Sequence, residues 1–183
     1  MLAVQGDVAQ EADAERLLTE TVAKFGGLDI LINNAGIGRF SNVADMSTEA
    51  WRSIFDTNLT GVFFTTRAAI PHLNRRGGGW IINVSSLAGS NPFAGAAAYC
   101  ASKAGLNAFT EALMAEVRYD NIRVSYVMPG SVATEFSGRD SQQGADWKLQ
   151  ADDVAEVITD LLAHPARSLP SRVELRPSRP KQR

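Results

Sequence analysis

Apolar runs alternate with amphipathic segments along the chain, and this alternation predicts an α/β fold. Predominantly apolar runs indicate buried strands at 2–8, 28–36, 80–85 and 122–128, and "RVELRP" at 172–177 suggests a short last strand. Strands that are apolar on both faces and alternate with helices are typical of a parallel sheet covered on both sides. We therefore expect a doubly wound parallel sheet in a single domain, residues 1–183, because neither an internal repeat nor a linker-like stretch interrupts the pattern.

The helices between these strands carry recognisable start and stop residues. Gly26 and Gly27 follow a segment with apolar residues at helical spacing and would end it, and Ser47 would cap the next helix. Longer helices are expected at about 59–73 and 96–117, and another opens near residue 150.

Composition narrows the function classes. The chain has 183 residues and a formal net charge of −2, so no overall positive field invites nucleic acid. No apolar run approaches the roughly 20 residues needed to cross a bilayer, and a single cysteine rules out an internal disulfide. We expect a cytoplasmic protein, with Cys100 as a buried apolar residue. The basic tail from 171 to 183 is interpreted as a frayed, solvated terminus.

Polar or glycine-containing loops follow the first four predicted strands. Asp7 comes after the first strand, "NNAG" after the second, "SS" after the third and "PGSVAT" after the fourth. Ligands of open parallel sheets gather beyond the carboxyl ends of the strands. The four loops therefore predict one shared cleft.

Tyr99 and Lys103 lie one helical turn apart and share a face of the predicted helix. An ammonium close to a phenol stabilises phenolate and lowers the pKa of the phenol, which would suit proton transfer; the alternative is an accidental, solvated pair. Ser86, thirteen residues before Tyr99, ends a strand from which its hydroxyl could reach the same substrate oxygen. Asn58, where one helix breaks and another begins, could anchor a proton-relaying water or simply cap a helix.

Five motifs in order resemble the short-chain dehydrogenase/reductase family. They are "NNAG" at 33–36, "TNLTG" at 57–61, "IINVSSLAG" at 81–89, "YCASK" at 99–103 and "VMPGSVATEF" at 127–136. The resemblance implies a Rossmann-like fold that binds NAD or NADP. It also implies hydride transfer between the nicotinamide and a carbonyl or secondary alcohol.

The resemblance assigns roles to individual positions. Tyr99 would be the catalytic acid/base, Lys103 would hold the nicotinamide ribose, Ser86 would orient the substrate oxygen and Asn58 would complete the proton relay. Cofactor contacts are expected from Tyr99 and Lys103 and also from Asp7, Val8, Asn34, Ala35, Gly36, Pro129, Gly130, Val132 and Thr134. No metal is implied, because His72 and His164 have no ligand-like spacing.

The chain departs from the family at its start. The glycine-rich turn that places a helix N-terminus against the cofactor diphosphate has no match, and neither has the residue that selects NAD or NADP. By resemblance, Met1 falls within the family's third strand, so the fold is expected to be N-terminally truncated by about two βα units. The strand at 2–8 would then have no neighbour, and the strand at 28–36 would present an unpaired edge.

Two classes of function follow. One is an NAD(P)-dependent oxidoreductase, and the other is an inactive fragment or association module of the same fold. The short segment 137–151 suggests an open site for a small or carrier-linked carbonyl or alcohol substrate, such as a 3-oxoacyl thioester on a carrier protein. A homodimer or homotetramer is expected, because family members pair through helices equivalent to 59–73 and 96–117, which here are rich in small residues.

Overall fold

The computed structural model describes residues 1–134, 136 and 145–180. Four parallel strands form one sheet and lie side by side in chain order. They are β1 (Ile30–Asn33), β2 (Gly79–Val84), β3 (Ile122–Pro129) and β4 (Arg172–Leu175). The predicted parallel sheet is confirmed, including its short last strand.

In the described part of the chain, five α-helices connect and flank the strands: α1 (Glu11–Phe25), α2 (Thr48–Phe55), α3 (Gly61–Arg76), α4 (Ala97–Val117) and α5 (Ala151–Leu162). The predicted C-terminal end of α1 and the predicted N-terminal cap of α2 are confirmed. Gly26 closes α1 in the left-handed conformation with φ of 81°, and the Oγ of Ser47 accepts a hydrogen bond of 3.1 Å from the backbone N–H of Ala50. Short 3₁₀ turns lie at Val43–Asp45, Leu87–Gly89, Arg118–Asp120 and Ala145–Trp147.

The sequence suggested that the helix breaks between α2 and α3, but the structure shows no break there. A single π-helical turn, Asp56–Thr60, joins the two helices. Its backbone angles stay in the right-handed helical region from Phe55 to Gly61, so the helix continues through a bulge. The bulge carries Asn58, which is fully buried.

Each face of the sheet has its own apolar core. Ile81 and Val124 pack with residues of α1, α3 and α4 on one face. Trp80, Ile82 and Val127 pack with α5 on the other face. The sheet is thus covered on both sides at β2 and β3, as the apolar character of these strands predicted.

The segment 2–8 forms no strand, so that prediction is wrong. Its side chains are mostly exposed, and β2 is the only strand paired with β1 among the described residues. A strand needs a neighbour to satisfy its backbone N–H and C=O groups, and this segment has none. The accompanying expectation of an open edge is confirmed: Ile30 and Ile32 of β1, which point to the α5 side, remain about two-fifths exposed.

The basic tail is more ordered than expected as far as it is described. Arg172 and Arg176 form ion pairs of 2.8 and 2.6 Å with Glu174 in and beside β4. Residues 181–183 lie outside the described part of the chain. Within that part, none of the helices combines the length and apolar character that crossing a membrane requires.

Candidate active site

Asn58 is clamped to the loop that follows β1. Its side-chain Nδ2 donates to the carbonyl of Ile37 at 2.9 Å, and its Oδ1 accepts from the N–H of Ile37 at 2.8 Å. A third bond of 3.1 Å joins Nδ2 to the Oγ of Ser102 on α4. Asn58 is therefore not a helix cap. It holds the "NNAG" loop and the helix of Tyr99 in one fixed arrangement.

Lys103 is buried beneath the carboxyl end of β2. Its Nζ donates to the carbonyl of Val84 at 2.8 Å, the one acceptor of this ammonium among the described residues. An ammonium has three N–H donors, so two are left for another partner. Burial lowers the pKa of Lys103 to about 8.

Tyr99 lies one turn before Lys103 and is largely buried. Burial raises the pKa of Tyr99 above its ordinary value, and a hydrogen bond with the Ser86 side chain lowers it in part. The expectation that Lys103 brings the phenol below its ordinary pKa is therefore wrong for this chain by itself, because desolvation of the phenolate outweighs the other effects. Ser86 thus lies close enough to Tyr99 to affect its pKa.

At Gly36, the loop after β1 lies close to the side chains of both Asn58 and Lys103. A Cβ added at Gly36 would lie 3.4 Å from the Oδ1 of Asn58 and 3.6 Å from the Nζ of Lys103. Because glycine has no side chain, it leaves a space next to the ammonium, and a ligand of Lys103 would lie in that space.

The other residues expected to contact the cofactor fall into three places. Val8, Asn34 and Ala35 line a groove of about 310 Å³ beside β1, between α1 and α3. Asp7 lies outside this groove in an open surface depression, where its backbone N–H donates to the Oδ2 of Asp13 at 2.8 Å. The structure therefore brings Val8 together with the loop after β1 but does not bring Asp7 there.

The third place is the loop after β3. Pro129 ends the strand, and the N–H of Gly130 donates to the carbonyl of Leu175 at 2.8 Å. Val132 pairs with Leu149 in an isolated bridge, and the N–H of Thr134 donates to the carbonyl of Val132 at 3.0 Å. The loop is thus tied to β4. It leads into the short segment 137–151, from which an open substrate site was expected, and residues 137–144 of that segment lie outside the described residues.

Sequence reasoning missed a buried polar network beneath the site. Asn33 of β1 donates to the Oδ1 of Asn83 on β2 at 2.8 Å and accepts from the Oγ of Thr65 on α3 at 2.7 Å. Asn83 in turn donates to the Oγ of Thr110 on α4 at 2.8 Å. Asparagines inside otherwise apolar strands were the available signal, since a buried amide needs polar partners.

It also missed three phenylalanines around Tyr99. The rings of Phe40 and Phe136 lie 5.7 and 5.6 Å from the Tyr99 ring, centroid to centroid, and Phe93 lies 6.1 Å from Phe40. All three are partly exposed. They follow different strands, so nothing in the local sequence ties them together.

The residues present fit the nicotinamide end of a dinucleotide better than its diphosphate. Lys103 offers unused donors beside the open space at Gly36, as a ribose with two hydroxyls would need. The N-terminus of α1, by contrast, carries Glu11 and Asp13, which would repel a diphosphate. Within the described residues, no glycine-rich turn leads directly from a strand into a helix.

Comparison with known proteins identifies the family. A family model described as short chain dehydrogenase matches residues 1–145. The chain belongs to this family of oxidoreductases, as its motifs predicted.

Individual relatives carry different names. The chain is 31% identical to a sepiapterin reductase of Chlorobaculum tepidum over 175 residues, which cover 96% of this chain and 72% of that protein. It is 42% identical over 139 residues to a granaticin polyketide synthase putative ketoacyl reductase 2 of Streptomyces violaceoruber, covering 74% of this chain and 55% of that one.

A solved structure shares the fold closely. The X-ray structure of an alcohol dehydrogenase from the archaeon Thermococcus sibiricus, complexed with 5-hydroxy-NADP, superposes with a TM-score of 0.88 at 26% identity. The match covers 96% of this chain and 75% of that one. The Rossmann-like fold is thereby confirmed, and the expected cofactor class, NAD or NADP, agrees with the ligand of that structure.

Proposed function

We propose that residues 1–183 act as one NAD(P)-binding unit of an oxidoreductase that interconverts a carbonyl and a secondary alcohol. The observation that supports this most strongly is the convergence of Ser86, Tyr99 and Lys103, from β2 and α4, at the carboxyl end of the sheet. When bound, the reduced nicotinamide supplies the hydride that the carbonyl carbon accepts.

Each side chain has a separate task in this proposal. The hydroxyl of Ser86 donates a hydrogen bond to the substrate oxygen and orients it, and Tyr99 gives that oxygen its proton. Lys103 binds the ribose next to the nicotinamide through its unused N–H donors. Asn58 keeps the loop after β1 and the helix of Tyr99 in register, and also contributes to the path by which the proton is replaced.

The protonation state of Tyr99 is compatible with carbonyl reduction. A phenol whose pKa is at or above its ordinary value is protonated at neutral pH, which is the state that a proton donor needs. Alcohol oxidation needs the opposite protonation state. We therefore expect reduction to be the faster direction near neutral pH.

The name of the Streptomyces relative, a putative ketoacyl reductase, suggests 3-oxoacyl groups as one candidate substrate class, and we propose a thioester on a carrier protein as their form. Such a substrate presents a ketone at the end of a long, flexible arm. An open approach to Tyr99 would accommodate the arm outside the protein. The class is tested by adding 3-oxobutanoyl thioesters, with and without the carrier, and measuring cofactor oxidation.

A homodimer or homotetramer is the proposed assembly. Ala101, Ala104 and Ala108 form an exposed stripe of small residues on α4, where a second copy could approach closely. Replacing Ala104 by arginine would then lower the molar mass measured in solution to that of a single chain. We also propose that the protein is located in the reducing cytoplasm, which its single free and buried cysteine supports.

A cofactor titration tests the proposed function against the alternative of an association module without catalysis. NADH and NADPH are added separately to the full chain, and binding is followed by cofactor fluorescence. Saturable binding that is lost in Lys103→Ala and retained in Lys24→Ala, a control at an exposed lysine of α1, supports the oxidoreductase. If neither cofactor binds the wild-type chain, the association module is favoured instead.

A further inference from the structure

Three phenylalanines from separate loops form one cluster, in which Phe40 and Phe136 contact the ring of Tyr99 and Phe93 contacts Phe40. Phe40 follows β1, Phe93 follows β2 and Phe136 follows β3, and we call them the aromatic wall. Phe40 and Phe136 each contact Tyr99 with tilted or edge-to-face rings, at 75° and 61°. These are the arrangements that aromatic rings prefer.

Gly38 allows the wall to close over Tyr99. A Cβ at Gly38 would lie 2.6 Å from an edge carbon of Phe136 and 3.1 Å from the tip of Phe40. The first of these distances is shorter than real Cβ contacts, so a side chain at position 38 would displace the end of the Phe136 ring. The two phenylalanines therefore meet on one spot of the backbone next to the reacting phenol.

The wall is not sealed inside the protein. Phe40 and Phe136 are each 41% exposed and Phe93 is 54% exposed, although burial of such side chains is strongly favourable. Scattered apolar residues on a surface need no explanation, but three aromatic rings joined in one patch beside a reactive hydroxyl do. Part of each ring is therefore accessible to a ligand.

We propose that the aromatic wall binds an aromatic ring attached to the substrate carbonyl, so that aryl ketones and the matching aryl alcohols, rather than 3-oxoacyl thioesters, are the preferred substrate class. A planar ring can add a fourth edge-to-face contact to the wall, while the ketone oxygen turns toward Ser86 and Tyr99. The phenylalanine side chains carry no hydrogen-bond donors or acceptors for the amides of a linear carrier arm. This inference rests on the proposed function for its chemistry and on the wall alone for its binding preference.

The first experiment compares the binding of an aryl ketone and an aliphatic ketone in the absence of cofactor. The probes are 1-[4-(trifluoromethyl)phenyl]ethanone and the aliphatic 4,4,4-trifluorobutan-2-one, and binding to the full chain is followed by fluorine NMR. The aryl probe should bind more tightly than the aliphatic one. Phe93→Ala and Phe40→Ala should each weaken aryl binding by roughly 3- to 10-fold, the worth of one aromatic contact, and change aliphatic binding little.

A matched control separates the wall from general loss of apolar surface. Phe25 at the end of α1 is 58% exposed, close to the value for Phe93, and lies outside the site. Phe25→Ala should bind the aryl probe like the wild type, and Phe93→Trp should restore the affinity that Phe93→Ala loses. Equal binding of both probes, or unchanged aryl binding in both Phe40→Ala and Phe93→Ala, would overturn the inference.

The same variants are then assayed with saturating NADH or NADPH. The wall variants should raise KM for the aryl ketone and leave kcat within about 2-fold, since they remove binding common to substrate and transition state. If the cofactor fails to bind while aryl binding still depends on Phe93, the proposed function fails and the wall stands. If ketones are reduced but aryl ketones are not preferred, the proposed function stands and the binding role of the aromatic wall fails.

Discussion

The carboxyl ends of the strands and the outer edge of the sheet at β1 differ sharply in how well their side chains are buried. At the strand ends, Asn58 and Lys103 are buried and hydrogen-bonded, and Tyr99 is covered by aromatic rings. At the outer edge, Ile32 is 43% exposed, although Ile82, its partner in register on β2, is 0% exposed. The two isoleucines point to the same face, so the difference lies in what covers them.

The contrast teaches that the reaction groups and the outer edge depend on different parts of the structure. The reaction groups are fixed by contacts between α4, the π turn and the ends of β1 and β2, all within the described residues. The edge at β1 lacks a covering layer on the α5 side, because α5 packs over β2 and β3. Variants at the two places should therefore behave very differently.

The largest effect is expected at Tyr99. Replacing it by phenylalanine removes the proton donor but keeps the ring, so kcat should fall by about 10²- to 10⁴-fold with little loss of stability. Steady-state kinetics with a ketone and the cofactor that binds provide the measurement. Tyr119→Phe, at an exposed tyrosine far from the site, should leave kcat unchanged. Equal rates for Tyr99→Phe and the wild type would remove Tyr99 from the chemistry.

The next largest effect compares the two isoleucines directly. Ile82→Ala leaves a cavity in a packed core and should lower the free energy of unfolding by about 2–5 kcal/mol. Ile32→Ala should lower it by less than about 1 kcal/mol, since much of that side chain already meets water. Urea denaturation of both variants measures the difference. Similar losses would mean that the edge is covered in solution, for example by another copy of the chain.

The pKa of Lys103 predicts a pH effect on stability. Below about pH 8 the folded and unfolded chains both carry the ammonium, and the burial penalty is present in full. Between about 8 and 10.5 only the unfolded chain still binds the proton, so the stability of the wild type should rise with pH, by up to about 1.4 kcal/mol per unit. Lys103→Met lacks this rise.

Urea denaturation of the wild type and Lys103→Met across this range isolates the contribution of the lysine. The stability difference between them should move in favour of the wild type by roughly 3 kcal/mol, the full value of the pKa shift. Lys24→Met, at an exposed position, should stay parallel to the wild type. A parallel pair of curves for Lys103→Met would show that this ammonium is not desolvated.

A smaller effect is expected at Asn58. Asn58→Ala leaves the backbone N–H and C=O of Ile37 without their partner, which should cost about 1–3 kcal/mol of stability. The specific readout is hydrogen exchange at the Ile37 amide, which should lose its protection. Asn74→Ala, at an exposed asparagine near the end of α3, serves as the control. Unchanged exchange at Ile37 would contradict the clamp.

The sequence predicted the features that depend on local chemistry. Gly26 and Ser47 mark helix ends through their own backbone and side-chain preferences, and β2 and β3 are predominantly apolar. The order of the motifs around Ser86, Tyr99 and Lys103 predicted the family in the same way. These features need no knowledge of distant contacts.

Features that depend on distant neighbours were not predictable in this way. The segment 2–8 has the residues of a strand but no partner to pair with. The clamp between Asn58 and Ile37 and the rise in the pKa of Tyr99 both arise from burial, which local sequence does not reveal. The aromatic wall joins Phe40, Phe93 and Phe136 across three loops.

In the proposed reaction, the carbonyl carbon accepts a hydride from the nicotinamide. The chain is incubated with a ketone and NADH or NADPH deuterated at C4 on one face, in two parallel reactions with opposite faces labelled, and the alcohol is analysed by mass spectrometry. One deuterium is expected on the carbinol carbon from one labelled face and none from the other. Alcohol without deuterium from either face, or no alcohol at all with both cofactors, would show that this chain does not carry out the transfer.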